Sequence, residues 1–418
     1  MSRANVDFEK VVADGYLWLR GTDPGELMIR WQAENIEPKT IDEVRSRLMP
    51  TRTASAPDIN AYLHSARSAL LREVPKGVHT FLSAGCAGLW FFDWIEKCYG
   101  RPAIHIGLEY YTPKPEGLPQ NVRWIENTCS DMAGVASASC DLVFSGQNYE
   151  HLWPDELLGF MLEAARVTKE GGLLVMDSPN RTATELLKSW SHPEHTVEAT
   201  LGEAEQVMTL AGFDVTARKG IWLMRDPATE QLLPLPPIDT AEWSVTERSI
   251  VAKDRPEHSF IWWLEGRRSL RVPDERALAD LIHQIFDRAW PERLTRFSSN
   301  VGRLEHRDGE DWIVAEAGES GAMLFGPYLP LRKGKFECEF QFELYGDSNA
   351  TVDAECDVMI GRLDAPISTY QISGRPGRNS VTLCFVLDQL EFGVQFRFVS
   401  WGTRRVACRR KISLIEER

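Results

Sequence analysis

The chain has 418 residues and a formal net charge of −14, with no long basic run. This length allows two or three domains, and the acidic balance argues against general binding to nucleic acid or anionic membranes. No apolar stretch approaches the ~20 residues of a membrane span, and the N-terminus lacks a signal-peptide core. The eight cysteines show no paired metal-binding spacing, so we expect reduced, buried thiols and a cytoplasmic protein.

The N-terminal part of the chain has a helical pattern. Amphipathic stretches are separated by the turn Asp23-Pro24-Gly25, and Thr40 with Glu43 forms a capping-box pattern. We therefore expect a helical segment over residues 1–57 that packs on the next domain. One more helix is predicted at 59–71, ahead of the first strand.

Three short apolar runs predict strands at 78–82, 103–108 and 122–125. The first leads into the sequence SAGCAGL at 83–89, a turn whose glycines let the backbone approach a ligand. The second ends in Glu109, about two dozen residues after Gly85, a spacing that suits an acidic residue binding both hydroxyls of a ribose. Asp131 follows the third strand.

The stretch 140–180 predicts a β-α-β unit. Apolar strands at 141–144 and 173–176 flank a helix with apolar residues at helical spacing, which Gly171-Gly172 ends. Such a unit implies a parallel sheet, in which ligands bind beyond the carboxyl ends of the strands. Both strands end in polar sets at that edge. These sets are Ser145, Gly146, Gln147, Asn148, Glu150 and His151 after the first strand, and Asp177, Ser178 and Asn180 after the second.

These features resemble the class I S-adenosylmethionine-dependent methyltransferases of the small-molecule type over residues 75–226. The resemblance rests on the apolar strand, the sequence Glu-His-x-x-x-Asp at 150–155, the helix, and Gly-Gly-x-Leu before the next strand. It implies an α/β, Rossmann-like domain with a mainly parallel seven-stranded sheet. The glycine loop departs from the family, because Ser83 replaces an acidic residue and Ala87 and Leu89 replace two glycines.

The resemblance also implies S-adenosylmethionine as the cofactor and a role for each matching residue. Histidine suits the general base that a hydroxyl acceptor requires, because its pKa lies near neutrality. The implied cofactor-binding residues are Gly85, Ala87, Glu109, Asp131, Ser145 and Gln147, the substrate-binding residues are Asn148, Glu150, Asn180 and His192, and the catalytic base is His151 or His195. Within the first set, Glu109 would hold the ribose and Asp131 the adenine amino group.

The connection after residue 180 contains the sequence His-Pro-Glu-His at 192–195, which we expect over the active face. Two histidines three apart can hold a metal, although the intervening proline disfavours a regular helix; acceptor binding and a lid are the alternatives. A helix is predicted at 201–211, and 213–217 with 221–224 are predicted as a last, antiparallel strand pair. A second Pro-Glu-His at 256–258 precedes an aromatic run at 260–264 that could line the acceptor pocket.

Changes in composition predict the domain boundaries. A proline-rich linker at 232–238 marks the exit from a methyltransferase domain over 58–230. A linker with helical and aromatic segments covers 231–296, including a helix at 274–290. From 297 to 418, short alternating runs predict an all-β, jelly-roll-like sandwich. The segment 325–336 resembles the opening of carbohydrate-binding β-sandwiches, and a stabilising or oligomerising domain is the alternative.

The expected function is O-methylation of a sugar on a bacterial surface polysaccharide or its precursor. The partner would be a glycan or glycolipid acceptor, and a homo-oligomer or a glycan-synthesis complex is left open. The altered glycine loop motivates one alternative, a catalytically degenerate Rossmann-fold protein that binds or scaffolds glycans. The histidines at 192 and 195 motivate another, a metal-using transferase or hydrolase on the same face.

Overall fold

The computed structural model describes residues 59–86, 88–187, 192–360, 363 and 365–417. The helical segment expected over 1–57 lies outside these residues. The chain divides into two compact units. The first contains the residues up to Leu186 together with Glu198–His283, and the second contains Leu187–Val197 together with Gln284–Arg418. None of the helices in the described part of the chain is both long and apolar enough to cross a membrane.

Helices and strands alternate in the first unit, with short 3-10 turns at Tyr149–His151 and Pro256–His258. Its helices are α1 (Ile59–Glu73), α2 (Leu89–Cys98), α3 (Pro154–Val167), the single turn α4 (Arg181–Thr184), α5 (Leu201–Leu210) and α6 (Val245–Lys253). Its strands are β1 (Thr80–Ala84), β2 (Ile104–Glu109), β3 (Val122–Glu126), β4 (Cys140–Gly146), β5 (Thr168–Pro179), β6 (Phe213–Leu223) and β7 (Ser259–Arg268). The next helix, α7 (Glu275–Arg293), spans the division between the units and confirms the helix predicted at 274–290.

The seven strands form one sheet in the order β3-β2-β1-β4-β5-β7-β6. The pairs among β1 to β5 are parallel, whereas β7 runs antiparallel to both β5 and β6. Every residue of β1 is buried, as in parallel sheets covered by helices on both faces, which explains its continuous apolar run. The α/β prediction with a mainly parallel seven-stranded sheet is confirmed.

The last strand pair differs from the prediction. Phe213–Leu223 is a single strand, and its antiparallel partner is the aromatic run in β7, which lies between β5 and β6. The first eight residues of β7 are buried, and Trp262 and Trp263 are core residues rather than walls of an acceptor pocket. The predicted domain end at 230 therefore cuts the sheet, which continues to Arg268.

The second unit is all-β after α7. Its strands are β8 (Arg303–Arg307), β9 (Glu310–Ala315), β10 (Ser320–Leu324), β11 (Pro327–Leu331), β12 (Gly334–Leu344), β13 (Ala354–Met359), β14 (Ser368–Ile372), β15 (Gly377–Leu387), β16 (Glu391–Trp401), β17 (Val406–Arg409) and β18 (Ser413–Glu417). They form two antiparallel sheets. One has the order β10-β16-β13-β14 with β11 also on β16, and the other has the order β15-β12-β17-β9-β8 with β18 on β12.

The two sheets share one apolar core. Phe336, Phe340 and Phe396 lie in it, and each alternates with polar neighbours along its strand. Sheets packed face to face produce this alternation, because successive side chains point to opposite faces. The prediction that an all-β region follows the α/β sheet is confirmed.

Candidate cofactor and transfer site

The turn after β1 is built around Gly85. Its φ is +77°, a left-handed conformation that glycine adopts at little cost. Its N–H donates to the carbonyl of Leu108 at 2.9 Å, and a Cβ here would lie 3.5 Å from Asn148 Oδ1. The turn therefore runs close to the loop that follows β4. Ala87, the other predicted residue of this turn, lies outside the described residues.

Glu109 ends β2 and fastens the glycine turn to it. Its Oε2 accepts the N–H of Cys86 at 3.1 Å. Its Oε1 accepts the N–H groups of the next three residues, Tyr110, Tyr111 and Thr112, at 3.2, 2.9 and 3.1 Å. The buried carboxylate thus lies beside the residue that follows Gly85, and its predicted contact with a ribose stays a prediction.

The missing acidic residue at position 83 has a structural explanation. The Ser83 hydroxyl shares a hydrogen bond with Nε2 of His105 on the neighbouring strand, at 2.9 Å. Both side chains are fully buried, and burial lowers the pKa of His105 to about 3. A neutral hydroxyl suits a neutral imidazole in the core, where a carboxylate would add an uncompensated charge.

The loop after β4 turns back toward Gly85. Asn148 donates from Nδ2 to Ser145 Oγ at 3.1 Å and makes a weaker contact to Cys129 Sγ at 3.5 Å. The structure therefore brings Asn148 together with Ser145 and Gly85, both predicted to bind the cofactor. Its predicted role in binding the acceptor stays a prediction.

A buried ion pair joins α1 to the carboxyl ends of β4 and β5. Arg67 donates to both oxygens of Asp177, at 2.5 Å from Nε and 3.1 Å from Nη2. Gln147 donates from Nε2 to Asp177 Oδ2 at 3.1 Å, and its backbone has a φ of +54°. A left-handed conformation at a residue other than glycine is often found at functional sites, and the predicted role of Gln147 in binding the cofactor stays a prediction.

This ion pair also explains why residue 146 is a glycine. A Cβ at this position would lie 2.2 Å from Arg67 Nη2 and 2.7 Å from Asp177 Oδ1, so only glycine fits. Burial raises the pKa of Asp177, and the Arg67 guanidinium opposes that shift. Arg67 was not among the residues predicted for the site, although an arginine within an apolar helical face is a signal for a buried charge partner.

The 3-10 turn Tyr149–His151 carries the two residues predicted to face the acceptor. Glu150 is fully buried, and burial raises the pKa of its carboxyl to about 8, with the charges of Asp177 and Glu198 adding to the shift. The carboxyl is therefore largely protonated at neutral pH. His151 is half-buried, and its N–H donates to the carbonyl of Asn148 at 3.1 Å. A neutral acid and an imidazole thus occupy successive positions beyond β4.

The side chain of Asn180 connects the end of β5 to the start of β7. Its Nδ2 donates to the carbonyls of Pro256 and Ser259 at 3.2 and 3.1 Å, and its Oδ1 accepts the N–H of Thr182 at 3.2 Å. The side chain thus caps α4 and ties the end of β5 to the start of β7. This gives Asn180 a structural role, and acceptor binding by it stays a prediction.

Asp131 lies in the exposed loop after β3. Its Oδ1 accepts the N–H of Ala133 at 3.0 Å. It lines an open surface depression together with Gly159, Glu163 and Arg166 of α3. Its predicted contact with adenine stays a prediction.

The two predicted histidines at 192 and 195 belong to the second unit. Their rings stack, with centroids 4.1 Å apart. The Arg293 guanidinium donates to the carbonyls of His192 and Thr196, at 3.0 and 3.1 Å, and to the carbonyl of His195. Their roles as base and substrate-binding residue stay predictions.

Comparisons with known proteins find similarity to methyltransferases. Residues 82–176 match the family described as "Methyltransferase domain". A "Probable S-adenosylmethionine-dependent methyltransferase" of Mycolicibacterium smegmatis is 34% identical over 144 residues, which cover 34% of this chain and 54% of that protein. A similarly named Mycobacterium tuberculosis protein is 30% identical over 152 residues, covering 34% of this chain and 51% of that one.

Among solved structures, a SAM-dependent methyltransferase from Archaeoglobus fulgidus aligns with a TM-score of 0.36 at 18% identity. The alignment covers 51% of this chain and 95% of that one. The fold assignment therefore rests on the strand order and not on this superposition.

Residues 82–176 are therefore similar to a methyltransferase domain, and both relatives are named as probable S-adenosylmethionine-dependent methyltransferases. The chain spans about half the length of the curated relatives it matches. The activity and the acceptor of the whole chain are therefore matters for a proposal.

Proposed function

We propose that this protein transfers a methyl group from S-adenosylmethionine to an acceptor at the carboxyl edge of the seven-stranded sheet. The observation that carries the proposal is the contact between Glu109 Oε2 and the N–H of Cys86, which joins a ribose-type acid to the left-handed glycine turn. The cofactor supplies an electrophilic methyl group. The role of the protein is to align an acceptor atom with that methyl group and to exclude water.

The residues of this edge fit the cofactor. Glu109 would hold the ribose, and the turn at Gly85 would lie beside the amino-acid end together with Ser145 and Asn148. Gln147 is held in its left-handed conformation beside Asp177, so its position relative to this edge is rigid. His151 would take a proton from a hydroxyl acceptor, and the protonated Glu150 could donate a hydrogen bond to it.

We further propose a sugar hydroxyl as the acceptor, on a bacterial surface polysaccharide or its precursor. The support is the all-β unit carried on the same chain, and this step is an analogy between architecture and ligand. Calorimetric titration with S-adenosylmethionine and S-adenosylhomocysteine tests the cofactor site without an acceptor.

We expect micromolar binding of both compounds to the full chain. In Glu109→Ala the affinity should fall by about 100-fold, because two charge-assisted hydrogen bonds to the ribose are lost. Glu126→Ala is the matched control, since Glu126 pairs in register with Glu109 at the end of the neighbouring strand but is exposed. Absence of binding at millimolar cofactor would contradict the proposal and favour the degenerate, glycan-binding alternative.

His151→Ala tests the base. Turnover with a sugar acceptor that carries a free hydroxyl should fall by ~10²–10⁴-fold, while the affinity for S-adenosylmethionine stays within a few fold. His258→Ala, at the corresponding position of the second 3-10 turn, should change neither quantity. Unchanged turnover in His151→Ala would show that this imidazole does not take the proton.

A further inference from the structure

The outer face of the sheet β10-β16-β13-β14 carries a set of polar side chains. On β13 and β16 the residues that point inward, such as Cys356, Val358 and Phe398, are fully buried in the sandwich core. Their neighbours along each strand therefore point outward. The outward residues are Glu355, Asp357 and Met359 on β13, Gln395, Arg397 and Val399 on β16, and Tyr328 on β11; we call them the Arg397 face.

An arginine–aspartate pair lies at the centre of the Arg397 face. Arg397 and Asp357 are directly opposite each other in the register. The guanidinium donates from Nε and Nη2 to the two carboxylate oxygens at 2.8 and 2.7 Å. The Asp357 side chain is 1% exposed, whereas that of Arg397 is 31% exposed. The pair is thus rigid, with its cationic member at the surface.

Several hydrogen-bonding groups around this pair remain available. Within the described residues no hydrogen-bond partner is found for Arg397 Nη1, for Gln395 Nε2 or for the half-buried carboxylate of Glu355. These groups comprise both donors and acceptors, held on neighbouring central strands. Rigid strands position such groups at a low entropic cost on ligand binding.

The opposite sheet provides the contrast within the same unit. Gln341 lies on the central strand β12 and is half-buried, like Gln395. Its Oε1 accepts from Arg409 Nη1 at 2.9 Å, and its Nε2 donates to Glu339 at 3.4 Å. Arg409 also donates to Glu310. The side-chain amide of Gln341 therefore has partners for both its oxygen and its nitrogen, whereas Gln395 Nε2 has none among the described residues.

Tyr328 borders the face in a strained conformation. Its φ is +61°, which is a true outlier for a bulky side chain. Its hydroxyl donates to Gln395 Oε1 at 3.3 Å, which fixes the ring beside the glutamine. Strain of this kind persists at binding sites because it holds a side chain in place for a ligand.

We propose that the Arg397 face binds a neutral, hydroxyl-rich chain, an oligosaccharide. Vicinal hydroxyls both donate and accept, so they match adjacent guanidinium, amide and carboxylate groups, and a sugar ring can stack on Tyr328. The charges support this class, because Asp357 neutralises Arg397 and Glu355 leaves the face slightly anionic, which disfavours nucleic acids and other polyanions. The identification of this oligosaccharide with the methyl acceptor rests on the proposed function. Its binding to the Arg397 face does not.

The test is binding of the full-length protein to an array of defined oligosaccharides, followed by titration with the best one. Gln395→Met and Tyr328→Gly are the test variants. Glycine adopts the left-handed conformation of residue 328 without strain, so Tyr328→Gly should stay folded while the ring is lost. Each variant should weaken binding by about tenfold, the effect of one lost hydrogen bond or stacking contact.

Gln341→Met is the matched control, since it makes the same change on the central strand of the other sheet. It should bind the oligosaccharide like the unmodified chain. Equal affinity of Gln395→Met and Gln341→Met would overturn the proposal, and so would an array on which the unmodified chain binds nothing. Titration with S-adenosylmethionine separates this proposal from the proposed methyltransferase activity. Glu109→Ala should lose binding of the cofactor and keep binding of the oligosaccharide.

Discussion

Two buried carboxyl groups, Asp353 of the second unit and Glu150 of the first, have opposite pKa shifts. In the second unit, Asp353 is buried beneath Arg404, which donates to Oδ2 at 2.5 Å, while Thr403 donates to Oδ1 at 2.7 Å. Burial acts to raise the pKa of Asp353, but the hydrogen bonds and the guanidinium bring it below its ordinary value. In the first unit, burial raises the pKa of Glu150 to about 8.

The difference separates a structural carboxylate from a carboxyl group that we propose to be part of the transfer site. Asp353 is ionised and compensated, so it stabilises the fold around it. Glu150 is kept neutral by its surroundings at a cost in stability, a feature that clusters at active sites. Its position beyond the carboxyl end of β4 agrees with that interpretation.

Removal of Asp353, the ionised carboxylate of the two, should have the largest effect on the free energy of unfolding. Asp353→Ala leaves the Arg404 guanidinium buried without its carboxylate, so we expect a loss of about 3–5 kcal/mol in the free energy of unfolding. Calorimetric unfolding of the full chain measures it. The double variant Asp353→Ala/Arg404→Met should recover part of the loss, and a loss below about 1 kcal/mol in the single variant would contradict a structural role.

The contribution of Glu150 to stability should instead depend on pH. Between pH 4.5 and 8 the folded state keeps a proton on Glu150 that the unfolded state releases, so stability falls as pH rises. The expected slope is about 1.4 kcal/mol per pH unit, levelling off above pH 8. Glu150→Gln should remove this component and be the more stable form at pH 8.

Unfolding curves collected from pH 5 to 9 check the Glu150 prediction. Asp214→Asn, an exposed carboxylate at the first residues of β6, controls for a general effect of removing one negative charge. If the unmodified chain and Glu150→Gln show the same pH dependence, the carboxyl is ionised when folded and the contrast with Asp353 disappears.

A pair of glycines gives the smallest effect and the sharpest comparison of the units. Gly85 and Gly346 have φ values of +77° and +68°, so alanine at either should cost about 1–2 kcal/mol through left-handed strain. Only Gly85→Ala should also weaken binding of S-adenosylmethionine, since Gly85 lies in the turn fastened to Glu109. Calorimetric titration of both variants with S-adenosylmethionine checks this prediction. Equal cofactor affinities would show that the turn at Gly85 does not belong to the cofactor site.

Local patterns in the sequence were sufficient for the parallel half of the fold. The strand leading to Glu109 and the unit from β4 to β5 were predicted because apolar runs and glycine turns depend on neighbouring residues only. The alternation from Phe336 to Phe342 predicted half-buried strands for the same reason. The edge of the sheet where Glu109, Ser145 and Gln147 lie followed from the parallel topology.

Contacts between residues distant in the chain were decided only by the tertiary structure. The aromatic run of β7 has no period-two signature, because it is buried on both faces between β5 and β6. Arg67 and Asp177 are 110 positions apart, and neither shows its partner locally. The neutral state of Glu150 likewise depends on burial by the folded chain. The sequence determined which residues could do the chemistry, and packing determined their charge state and neighbours.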